Sequence, residues 1–181
     1  AIAFFMLTGE LMTSATITDL LVALSRALIG RIRGGLAQVN VLVSMFFAGM
    51  NGSVVADTAT VGALVLPAMK KAGYPAAFSA AVTGVSSTIG GIIPPSIMMI
   101  VLANATEISI ASLFAAGIIP GILIGVVIMV INHYFAVKHN FERSDEPFSV
   151  RRAGKELYRS SFALLIPLVL VGSVMGCLLY T

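Results

Sequence analysis

Apolar positions along the chain fall into long blocks, and the period changes from block to block. Over 16–34, Ile17, Leu20, Leu21, Leu24 and Leu28 recur on one face of a helical wheel, with Thr18, Asp19, Ser25 and Arg26 elsewhere. That is the pattern of an amphipathic helix lying along a membrane surface. Thr16 with Asp19 supplies a capping pattern at its start. Residues 35–71 read differently. Two apolar arms, 35–50 and 54–70, flank the polar string "NGSVVADTAT". Each arm is shorter than the roughly 20 residues that cross a ~30 Å hydrocarbon core, which predicts a re-entrant hairpin turning at Asn51–Asp57. Residues 76–105 carry no charge and form one long apolar segment, interrupted by "GGIIPPS". Residues 110–137 form an uninterrupted span. Residues 138–160 combine a polar loop with a second amphipathic helix, 161–181 form a further span, and 1–15 read as the end of an earlier one.

Composition agrees with the blocks. The chain of 181 residues is 58% hydrophobic and 10% charged, against about 25% charged in ordinary soluble domains. The mean hydropathy is +1.01. The class is an all-α integral membrane protein. The net charge of +3 does not point to nucleic acid, and the single cysteine excludes an internal disulfide. The opening "AIAFFML", which does not begin with Met, and the close on "LLYT" are what an internal portion of a longer polypeptide would show. All 11 Lys and Arg fall within 26–33, 70–71 and 138–159. If 35–71 enters and returns, and 76–105 and 110–137 each cross once, all of them share one side. The positive-inside rule makes that side cytoplasmic. The same count fits a hairpin that crosses twice, so charge alone leaves that choice open.

Backbone that is not helical at membrane depth leaves N–H and C=O groups without partners, and it persists only where protein, water, ion or substrate satisfies them. The chain has two such candidates, Asn51–Asp57 and Gly90–Ser96. Each places a helix C-terminus, able to hold a cation, beside a helix N-terminus, able to face an anion. Paired broken elements point to a secondary-transporter site. A lone Gly or Pro would be a packing notch or a kink. Two of each within six residues, beside Ser86, Ser87, Thr88 and Ser96, favour a site. Asp57 is the one carboxylate in the deeply apolar part of 35–105. It is either a functional group or a structural partner for N–H groups where the second arm begins.

The stretch "FFAGMNGSVVADTATVGALVLPAMKKAGYPAAFSAAV", followed by "SSTIGGIIPPSIMMI", resembles the large membrane subunit of tripartite ATP-independent periplasmic (TRAP) transporters. The resemblance runs from "FFMLTGELM" through "RGGLAQVNVLVSMFFAG" to "LFAAGIIPGILIG". It implies the first of the two inverted repeats of an elevator-type carrier in the bacterial cytoplasmic membrane. Such a carrier imports a small organic anion, for example a C4-dicarboxylate or sialic acid, with sodium as coupling ion. Its expected partners are a small membrane subunit and a soluble periplasmic binding protein. By motif, Asn51, Gly52, Ser53, Ser87, Gly90 and Pro94 would hold sodium. Pro95 and Ser96 would border the substrate, and Asp57 would serve structure or coupling. Position 51 is Asn where Ser is expected in many members, and its amide oxygen can still coordinate a hard cation.

Other functions compete less well. An intramembrane hydrolase with Ser53 as nucleophile lacks a His or Lys at depth to activate it, so no enzyme activity is expected. A channel needs a continuous polar lining, whereas the chain offers two polar breaks within apolar helix. A purely structural membrane subunit is the remaining alternative.

Overall fold

The computed structural model describes residues 17–29, 32–141 and 150–175. The span end expected at 1–15, the loop residues 142–149 and Cys177 lie outside them. The described residues form seven α-helices: α1 Ile17–Ile29, α2 Gly35–Asn51, α3 Val54–Lys71, α4 Ala76–Ser87, α5 Ile97–Thr106, α6 Ile110–Lys138 and α7 Val150–Met175. A short 3-10 turn, Thr88–Gly91, continues α4.

Helix α2 is the centre. Residues on all its sides are buried, including Val39, Val41, Val43, Phe47 and Met50. An all-round apolar helix needs neighbours on every side, and α2 has α1, α3, α4 and α6. Its ends are set by glycine. Gly34 (φ 74°) precedes it and Gly52 (φ 58°) closes it, both in the left-handed region that suits a residue without Cβ. Helix α3 starts on the Ser53 cap and ends on Lys70 and Lys71, cations where the helix dipole favours them. Past its end, Gly73 N–H bonds the Lys70 carbonyl at 3.1 Å and Tyr74 N–H bonds the Met69 carbonyl at 3.1 Å. This is a Schellman closure, which turns the chain into α4.

The α2–α3 hairpin turns more sharply than the sequence predicts. Only Gly52 and Ser53 separate the helices. Val54 to Asp57 already belong to α3, because the Ser53 hydroxyl satisfies a free N–H of its first turn.

Helix α6 has a mean hydropathy of 2.7 over its best window and is long enough to cross a membrane. Ile119, Leu123 and Val130 lie more than half exposed on it, surface suited to hydrocarbon. Gly117, Gly121 and Gly125 form its inner stripe. A Cβ on these would run into Met99 and the Ile92 carbonyl, into Ile93, and into Met45 respectively. The missing side chains therefore let α6 sit close against α2 and the break after α4.

The two flanking helices depart from expectation. In α1, Leu21 and Leu24 are buried as the periodicity predicts, but so are Thr18 and Ser25, while Leu28 is 41% exposed. The reason is that α1 packs between α2 and α7. The Ser160 hydroxyl donates to the Leu20 carbonyl at 3.2 Å. The boundary expected between an amphipathic helix ending at 160 and a span starting at 161 is absent, since α7 runs through it unbroken. No Pro or Gly stands between Lys155 and Leu165 to stop the helix.

Candidate functional site

The hairpin tip lies against the break between α4 and α5. The Ile97 N–H, at the free N-terminus of α5, donates to the Gly52 carbonyl at 3.2 Å. The approach is close enough that a Cβ on Gly52 would land on the Pro95 carbonyl oxygen and stand 2.9 Å from the Ser96 Cα. On the other side, Gly90 faces the backbone of Ser53 and Val54, 3.7 Å from where its Cβ would be. Two non-helical segments thus satisfy part of each other's backbone, as buried N–H and C=O groups require.

The remaining free groups are handled locally. At the tip, the Ser53 N–H donates to Asn51 Oδ1 at 3.1 Å. The Ser53 Oγ accepts from the Ala56 N–H at 3.3 Å. At the break, the Ser96 Oγ accepts from the Met99 N–H at 3.3 Å and donates to the Gly91 carbonyl at 2.9 Å. The Ile92 and Ile93 N–H groups both reach the Ile89 carbonyl at 2.9 Å.

Of the predicted site residues, Asn51, Gly52, Ser53, Gly90, Pro95 and Ser96 come together at this junction. Pro94 is buried beside Pro95 in the break. Pro95 and Ser96 are buried as well, and the Ser96 hydroxyl is engaged as both donor and acceptor. Asn51 is buried too, with its Nδ2 lacking a hydrogen-bond partner. Its Oδ1 keeps a second lone pair beyond the one that holds Ser53. Ser87 goes elsewhere. It lies beside the Asp57 carboxylate together with Ser44, and its own proton goes to the Thr83 carbonyl at 2.8 Å.

Behind the tip, a polar ladder joins α2 to α4. The Asn40 Nδ2 donates to the Thr83 Oγ1 at 2.7 Å, and the hydroxyls of Ser44 and Ser86 are 3.2 Å apart. Asn40, Ser44, Thr83 and Ser86 are all buried. In the sequence, Asn40 and Ser44 read as part of an apolar arm. Their spacing of four, matched by the spacing of three between Thr83 and Ser86, was the available signal: it puts each pair on one helix face.

The model of the tripartite ATP-independent periplasmic transporter DctM component matches residues 1–181, the whole chain. The chain belongs to the DctM family. Among curated relatives, it is 38% identical to the sialic acid TRAP transporter permease SiaT of Haemophilus influenzae over 175 residues, which cover 96% of this chain and 28% of SiaT. It is 44% identical over 136 residues to the C4-dicarboxylate TRAP transporter large permease DctM of Pseudomonas aeruginosa, covering 75% of this chain and 32% of that protein. It is 36% identical over 172 residues to the 2,3-diketo-L-gulonate TRAP transporter large permease YiaN of Escherichia coli, covering 95% of this chain and 40% of YiaN. The chain therefore spans well under half the length of these DctM-family relatives. Within the family, the junction of tip and break falls inside the matched residues.

Proposed function

We propose that this chain is the part of a TRAP large permease that carries one ion-and-substrate half-site of a sodium-driven importer of small organic anions. The observation that supports this best is the pairing of the hairpin tip with the break. Two helix C-termini and two helix N-termini meet there, and Asp57 in the first turn of α3 is the one acidic side chain in their first turns. Their partial charges suit a cation at one face of the junction and an anion at the other. The sodium ion would take oxygens from Ser53 and Asn51 and from backbone carbonyls near Gly52, Gly90 and Pro94. The substrate would meet the N-terminal end of α5, with Pro95 and Ser96 shaping the backbone behind it. The three relatives are named for sialic acid, C4-dicarboxylates and 2,3-diketo-L-gulonate, all carboxylates, and a further relative is named for isethionate, a sulfonate. That favours a small organic anion as the class and leaves its identity to the rest of the protein.

The same geometry favours a re-entrant hairpin. The tip touches the chain between α4, of 12 residues, and α5, of 10 residues, so it stops about halfway along the broken element. At ~1.5 Å per residue each half is under about 20 Å, and the tip would lie near the midplane of a ~30 Å core. A hairpin that crossed fully would carry its tip past the break. In the proposed arrangement the basic segments face the cytoplasm of a bacterial inner membrane. A small membrane subunit and a periplasmic binding protein complete the carrier, and α1 and α7 tether a block of α2–α6 that moves in an elevator cycle.

The test is uptake of radiolabelled organic acids by the full-length complex in liposomes, with an inward sodium gradient and the binding protein. Uptake that needs both supports the proposal. Uptake indifferent to sodium, or ion conduction without saturable uptake, would favour a different carrier or a channel. The hairpin has its own check in a background lacking Cys177. A cysteine at Ala59 should react poorly with an impermeant thiol reagent outside intact cells, and one at Glu107 readily. Equal, rapid labelling would mean two full spans.

A further inference from the structure

We propose that the C-terminal end of α6 binds an anionic phospholipid, with its phosphate at Lys138 and Tyr134 and its acyl chains along the exposed face of the helix. This goes beyond the sodium-coupled reading and does not depend on it. Several helix ends meet here. Helices α2 and α3 are joined by a two-residue turn, so the start of α2 lies beside the end of α3. Helix α6 runs antiparallel to α2: the Gln38 Nε2 donates to the Met129 carbonyl at 2.8 Å, and a Cβ on Gly34 would run into Ala136. Aromatic rings hold the turn between α3 and α4 to the end of α6. The centroids of Tyr74 and Phe141 are 4.7 Å apart, and those of Phe78 and Phe135 are 6.1 Å apart. Arg33, Lys70, Lys71 and Lys138 therefore share one end of the α2–α6 block, and all four are exposed. No acidic side chain of the block opposes them. Its two carboxylates are Asp57, buried near the tip, and Glu107, at the far end of α6.

The face of α6 beside those cations decides the occupant. Leu123, Val130 and Tyr134 are more than half exposed on it, and Val127 and Ile131 nearly so. With Lys138 they fall on one side of the helix, opposite the glycines that pack inward. The stretch from Val127 to Lys138 is about 16 Å long at ~1.5 Å per residue, close to one leaflet of a ~30 Å core. Tyr134 stands one turn before Lys138 on the same face, and both side chains can donate to a phosphate. Cations alone would suit any polyanion. A soluble one would leave the apolar stripe beside Lys138 uncovered. A phospholipid meets both features with one molecule, its phosphate on the donors and its acyl chains along the stripe. A zwitterionic headgroup would bring its own ammonium among the same cations, which favours a net anionic one.

The experiment is native mass spectrometry of the purified full-length complex, titrated in detergent with phosphatidylglycerol or phosphatidylcholine. Wild type should bind phosphatidylglycerol several-fold more tightly. Lys138→Gln should weaken phosphatidylglycerol several-fold and leave phosphatidylcholine unchanged, whereas Lys138→Arg should keep the preference. Tyr134→Leu retains the apolar face and should weaken phosphatidylglycerol less than Lys138→Gln does. The double variant Lys70→Gln/Lys71→Gln should weaken it through the shared field, and that loss should shrink at high salt. Equal binding of the two lipids by wild type overturns the site, as does an unchanged phosphatidylglycerol affinity in Lys138→Gln. If Lys138→Gln does not assemble, the double variant decides in the same way. Glycerol 3-phosphate competing as well as the lipid would mean a soluble anion and overturn the lipid assignment.

Discussion

The hairpin tip and the helix break solve one problem with one device and differ in what is left over. Each starts a helix on a serine whose Oγ accepts the N–H three residues on, at 3.3 Å in both. At the break, the Ser96 hydroxyl also donates to the Gly91 carbonyl and the residue is buried. At the tip, Ser53 is partly open and its hydroxyl donates to no group among the described residues. The same cap therefore serves as a pin in one place and retains coordinating capacity in the other. A serine in a broken membrane helix is a candidate ligand only to the extent that the break itself leaves its oxygen free.

The largest effect belongs to the point where the two segments touch. Gly52→Ala puts a Cβ onto the Pro95 carbonyl at a φ of 58°. Left-handed strain of about 1–2 kcal/mol adds to an overpacking cost of about 1–3 kcal/mol. The complex should lose much of its thermal stability in detergent, and uptake with it. Next comes Ser96→Ala. It removes the cap of α5 and leaves the Gly91 carbonyl without its donor, together costing about 2–4 kcal/mol. Thermal unfolding should show this as a clear drop in midpoint. Ser53→Ala loses the cap alone, about 1 kcal/mol, so its unfolding midpoint should fall less than that of Ser96→Ala. Gly90→Ala should be near neutral in the same assay, within about 0.5 kcal/mol, because its Cβ would meet Ser53 and Val54 at ordinary contact distance. The reverse order for Gly52 and Gly90 would show that the tip and break are not packed as described.

Much of this architecture is legible from residue pattern. Gly and Pro clusters mark where helices cannot continue, and "NGS" and "GGIIPPS" lie where the chain turns and breaks. What the pattern hides is decided by contacts. The polar run to Asp57 reads as a loop, but the Ser53 cap converts all of it after Gly52–Ser53 into helix. Ser96 reads as a residue facing the substrate, and its hydroxyl turns inward to Gly91. Gly90 and Gly52 look alike as glycines, and only the fold shows which one a backbone presses against. Ser87 reads with the break by motif, whereas its hydroxyl bonds back to the Thr83 carbonyl within α4. The continuous α7 escapes prediction because a change from amphipathic to uniformly apolar pattern alters the surroundings of a helix without ending it.

The claim that the tip is the ion-coordinating half of the pair has a direct measurement. It is the half-saturating sodium concentration for uptake by the full-length complex in liposomes, for wild type, Ser53→Ala and Ser96→Ala, at a temperature where all three remain assembled. Loss of one ligand should move the Ser53→Ala curve to higher sodium, by up to about tenfold for a change near 1.4 kcal/mol. Ser96→Ala should be less stable yet keep the wild-type curve. A wild-type sodium curve for Ser53→Ala, or a shift that appears in Ser96→Ala instead, would contradict the account.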